Sequence, residues 1–114
     1  VVDPALQDAA EDHATAMAAR GFFSHRGADG STLTTRLRRH GYRYSAAAEN
    51  IAAGQSTAAE VVQSWMKSSG HRRNITDCAL RHTGIALVFD PDDTPIRGNR
   101  QPLRYYWVQV FASP

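Results

Sequence analysis

Three short segments hold side chains that could do chemistry. Gly21-Phe22-Phe23-Ser24-His25 ends on an imidazole just ahead of the turn Gly27-Ala28-Asp29-Gly30. Ala48-Glu49-Asn50-Ile51-Ala52 sets a carboxylate in an apolar run, and Trp65-Met66-Lys67-Ser68-Ser69-Gly70-His71-Arg72 brings a second imidazole. Neutral imidazoles can ligate a divalent metal, and a carboxylate beside them can orient or deprotonate a bound water. The three residues are too far apart in sequence to share a helix face, so a joint site requires the fold to bring them together.

The donor set limits what such a site would do. His25 and His71 are the candidate metal pair, for zinc or another divalent cation. Catalytic zinc sites carry three protein ligands and structural ones four, so a two-imidazole site is expected to bind weakly. Three readings follow for His25, Glu49 and His71. The favoured one is a binding cleft, with Ser68 as an added ligand-binding residue, that accepts a metal ion or small polar ligand without turnover. A second is a metal-dependent hydrolase in which all three are catalytic and Glu49 is the general base. The third is a hydrogen-bonded cluster that only ties helices to the sheet.

Other catalytic templates have less to stand on. The chain holds no HExxH, no G-x-S-x-G and no Walker loop. Ser68 and Ser69 lie near His71, yet Ser-Ser-Gly before a histidine is equally a helix stop. Asn50 is expected to tie backbone rather than react.

The elements that must position these residues are legible from caps and periodicity. Asp3 as N-cap, Pro4 at the first helical position and Gly21 after Arg20 bracket a first helix. Leu6, Ala9, Ala10, His13 and Met17 recur at helical spacing, which puts His13 on the buried side in a structural role. Ser31 or Thr32 caps a short second helix ending near Gly41; in it Leu33 and Leu37 are expected to face inward and Arg36, Arg38 and Arg39 outward. Thr57-Ala58-Ala59-Glu60 is a capping box opening a third helix with Val61, Val62, Trp65 and Met66 on its apolar side. After a break at Gly70, residues 72–75 form one further turn. Strands are expected at 48–53, 83–90 and 104–112, the last with Tyr106, Val108 and Val110 on one face and Tyr105, Trp107, Gln109 and Phe111 on the other. Helices and strands together give an α+β core in one domain, residues 1–114.

Composition bounds the function. Of 114 residues, 42% are hydrophobic and 21% charged, ordinary for a globular chain, and no apolar run is long enough to span a bilayer. The formal charge of +2 is too small to imply nucleic acid, and the basic cluster Arg36, Arg38, Arg39, His40 and Arg43 reads as a solvated helix face. Cys78 is the single cysteine.

In their order along the chain, the three segments closely resemble the bacterial branch of the CAP superfamily, the secreted domain shared by cysteine-rich secretory proteins, antigen 5 and plant pathogenesis-related proteins. The likeness extends to Asp3-Pro4-Ala5-Leu6 through His13-Ala14-Thr15-Ala16-Met17-Ala18 and to Tyr106-Trp107-Val108-Gln109-Val110-Phe111. It implies a three-layer α-β-α sandwich, here without the family's first helix, and a secreted or cell-envelope location. It also implies a central cleft in which His25, Glu49 and His71 fall on three of four family positions, with Ser68 where many eukaryotic relatives have a second glutamate. Pairing of Cys78 with a cysteine upstream of Val1, and small-ligand, lipid or sterol partners, rest on the resemblance alone.

Overall fold

The computed structural model describes residues 1–114 as α1 (Pro4–Arg20), α2 (Leu33–Arg39), β1 (Ala46–Ala53), α3 (Ala58–Lys67), α4 (Ser69–Thr76), β2 (His82–Phe89) and β3 (Tyr105–Ser113). The strands form one antiparallel sheet in the order β1-β3-β2, so the last strand lies in the middle. That placement explains its composition, because a central strand is covered on both faces. Tyr106, Val108, Val110 and Ala112 are fully buried in the cluster that contains α1, and Trp107 is buried from the other side with Val61 and Trp65 of α3. The alternation expected from the sequence is the one observed.

The helix start and stop signals act as expected with two exceptions, and of the apolar side expected for α3 only Val61 and Trp65 are buried, Val62 standing exposed. The Asp3 carboxylate accepts from Ala5 N at 2.9 Å, and Gly21 closes α1 in a left-handed conformation. Thr32 caps α2 within a reciprocal box with Thr35. Thr57 accepts from Glu60 N at 3.2 Å, but the Glu60 carboxylate takes the Ser56 hydroxyl instead of returning to the cap, so only half of the expected box forms. The break expected at Gly70 falls earlier, at Ser68, whose backbone is extended; α4 starts at Ser69 and runs through the glycine. Gly70 misleads because a glycine beside serines is compatible with a helix's first turn as well as with its end.

The sheet separates the helices into two outer layers. Helix α1 crosses one face over β2 and β3, and it comes so close that a Cβ on Gly84 would lie 2.4 Å from Gln7 N and from Leu6 C. Helices α3 and α4 cover the β1 side of the opposite face. The arrangement is the expected α-β-α sandwich. The outer edge of β2 is closed by the N-terminal segment: Asp3 N donates to Thr83 O, and the Gln7 amide caps both Ile85 O and Ile85 N. Strand β1 forms the other edge, and the candidate site lies there.

Candidate functional site

Strand β1 places its residues alternately on the two sheet faces. Glu49 and Ile51, paired with Val110 and Val108, look toward α1 and α2; Asn50 and Ala52, paired with Gln109 and Trp107, look toward α3 and α4. A cleft of about 570 Å³ runs along this edge, with His25, Phe23 and Ser24 on one bank, Trp65, Ser68 and His71 on the other, and Ile51 and Ala52 as its floor. The volume is in the usual range for a small-molecule site. The two imidazoles thus reach one cleft from opposite faces of the sheet, as the joint-site expectation requires.

Glu49 is not in the cleft wall but behind it. Its side chain is 3% exposed, with Oε1 2.9 Å from His25 Nδ1 and Oε2 2.9 Å from Arg36 Nη2. The same Nη2 donates to the His25 carbonyl at 3.1 Å. A carboxylate only accepts, so Nδ1 of His25 carries the proton in this contact, and Nε2 of the neutral ring is the nitrogen with the free lone pair. The His25 ring itself is 60% exposed, a solvated imidazole on a buried ionic base.

His71 is held differently. Its Nδ1 lies 2.8 Å from Ser68 Oγ, three residues earlier, and its backbone carbonyl accepts from Asn50 Nδ2 at 3.2 Å. Asn74 Nδ2 donates to Asn50 Oδ1 at 2.9 Å, so Asn50 ties α4 to β1 through backbone and amide, as expected. Trp65 Nε1 donates to Ile51 O at 3.1 Å and satisfies an edge carbonyl of β1. The Ser68 hydroxyl therefore orients an imidazole. No Ser-His-carboxylate relay exists, because both Glu49 oxygens are taken by His25 and Arg36.

Arg36, which contacts both Glu49 and the His25 carbonyl, is the residue that the sequence pattern puts in the wrong place. The expected outward face groups it with Arg38 and Arg39; those two are exposed, but Arg36 is 3% exposed. Leu33, Arg36, Leu37 and His40 stand at the i, i+3, i+4, i+7 spacing of one helix face, a signal that includes the arginine in the inward stripe. Burial of its charge is compensated by Glu49. His13, expected inward, is 1% exposed with Nε2 2.7 Å from Ser24 O, and so anchors the segment that carries His25. Burial is the main force pushing the His13 imidazole below its ordinary value, with Glu49 pulling the other way and Arg36 adding to the depression.

The fit to a resident metal is poor. No group of three or more His, Cys, Asp or Glu side chains is arranged to hold an ion. The donors left are single ring nitrogens of His25 and His71, short of the three or four protein ligands of established zinc sites.

The chain matches the Cysteine-rich secretory protein family (CAP) over residues 1–111. It belongs to that family. A curated relative, the uncharacterized protein YkwD of Bacillus subtilis (strain 168), is 34% identical over 87 residues, which is 76% of this chain and 34% of the relative. The CAP fold recurs in an extracellular protein containing a SCP domain from Bacillus anthracis str. Ames, with a TM-score of 0.79 and 26% identity over 100% of this chain and 33% of that one. An outer surface protein from Borrelia burgdorferi shares the fold at a TM-score of 0.82 and 18% identity, covering 98% and 75% of the two chains. This CAP chain therefore spans about a third of the length of both Bacillus proteins. No helix in it is long and apolar enough to cross a membrane.

Proposed function

We propose that this CAP domain is a secreted binding module whose β1-edge cleft takes a small ligand without chemical turnover. The guest's polar group meets the imidazoles of His25 and His71, and its apolar part lies over Ile51 and Phe23. The observation that carries this reading is the commitment of Glu49: with both oxygens engaged and 3% exposure, it is not placed to activate a water. The location outside the cytoplasm is supported by the extracellular and surface proteins that share the fold.

A second reading is a divalent cation held by the two imidazoles, favoured by the ring nitrogen that each keeps free of protein partners. Such binding would be weak.

Amide spectra recorded while benzamide, benzoate, a short-chain phospholipid or zinc is added distinguish the guests. Shifts concentrated at His25, Ile51, Trp65 and His71, lost in His25→Ala plus His71→Ala, are expected for at least one probe. If none of them moves these residues, the module reading is wrong. Chelator-sensitive hydrolysis of peptide or ester substrates, abolished by Glu49→Gln, would replace it with the hydrolase.

A further inference from the structure

Arg36 is an expensive residue to bury in this way. A guanidinium has three nitrogens with five N–H donors, yet Nη2 alone makes both hydrogen bonds, to Glu49 Oε2 and His25 O. Nε and Nη1 have no protein partner, and the residue also borders a small second cleft beside His13 and Asp29. What Arg36 does well is local to the site: it holds the carboxylate behind His25 and the backbone of His25 at once.

We propose that Arg36 is the specificity-determining residue of the cleft: its guanidinium is a built-in cation that commits Glu49 and keeps it out of the donor set for divalent ions. The proposal rests on the cleft being a binding site. A divalent ion entering it then meets imidazole nitrogen and neutral hydroxyl or amide oxygen but no carboxylate, because the cleft walls contain no Asp, Glu, Lys or Arg. The pair Arg36–Glu49 is neutral as a unit, so the site selects guests by hydrogen bonding and shape and discriminates against hard cations, which want carboxylate oxygen.

Zinc calorimetry on a double-mutant cycle tests this: wild type, Arg36→Met, Glu49→Gln and the double variant, each with its thermal melt. Removing Arg36 releases the carboxylate beside His25, so zinc affinity is expected to rise about tenfold or more, and adding Glu49→Gln should remove that gain. Glu49→Gln alone loses only the support of the His25 ring. The cost of Glu49→Gln is therefore expected to be larger in the Arg36→Met background than in wild type by about tenfold. Equal costs in the two backgrounds would overturn the proposal. If Arg36→Met does not fold, Arg36→Gln, which keeps a donor for the His25 carbonyl, serves as the background. A wild type that binds no zinc counts against the cation reading of the cleft alone; there, new zinc binding in the Arg36 variant sustains the proposal and none overturns it.

Discussion

Arg36 and Glu49 are each 3% exposed, and their 2.9 Å contact makes each the condition for burying the other. Truncating one leaves a charge in a low-dielectric surrounding, so Arg36→Met is expected to cost about 3–5 kcal/mol, whereas replacing both by neutral residues of similar volume should recover most of that. Urea unfolding midpoints compared at constant m-value check both numbers. His13 supplies a pH dependence. Its folded pKa lies below the ordinary 6.5, so the unfolded chain takes up more protons between the two values. Its contribution is fully present above about pH 6.5 and is lost as pH falls through the lowered folded pKa. His13→Gln should flatten stability in the window just below pH 6.5, measured by denaturation at a series of pH values. His25, Glu49 and His71 are visible in the sequence because each is a polar residue among small or apolar neighbours, although Glu49 lies inside β1 and His71 inside α4 instead of at element ends. Arg36 is not, since its pattern matches a solvated helix as easily as an inward stripe until Glu49 supplies the countercharge.

Among the elements, α1 is the one the sequence defines most completely, and the one whose packing it hides. Its ends follow from local chemistry: the Asp3 cap, Pro4 and the left-handed Gly21. Asp3→Ala is expected to cost about 1 kcal/mol by thermal melting. How closely α1 approaches the sheet depends on Gly84, in a strand far away in sequence, and no local rule reveals that. A Cβ there meets helix backbone at 2.4 Å, which cannot rotate away. Gly84→Ala should therefore destabilise by about 1–3 kcal/mol or more through displacement of α1, and the same melts test it. The α3–α4 junction is hidden for the opposite reason. Ser68 turns the chain there as the N-cap of α4 and sets the His71 ring, and Ser-Ser-Gly reads as a helix stop as readily as a helix start.

For the molecule as a whole, the two outer layers are unequal. Helix α1 spans its face of the sheet, while α3 and α4 cover the β1 side of the other and leave Ile85, Leu87 and Phe89 of β2 at 40%, 44% and 50% exposure. Strand alternation brings these three onto one strip. Because Leu87 is half in solvent, Leu87→Lys is expected to change the stability of this chain by less than about 0.5 kcal/mol in urea unfolding. The cleft lies at the opposite edge, where β1 is flanked from both faces.

Whether His25 and His71 serve one cleft from opposite sides of the sheet can be read from nitrogen spectra of the five histidine side chains during a zinc titration. The Nε2 signals of His25 and His71 are expected to shift along a single saturation curve while His13, tied to Ser24 O, stays unchanged. Shifts in only one of the two rings, or two unrelated saturation curves, would contradict a shared cleft.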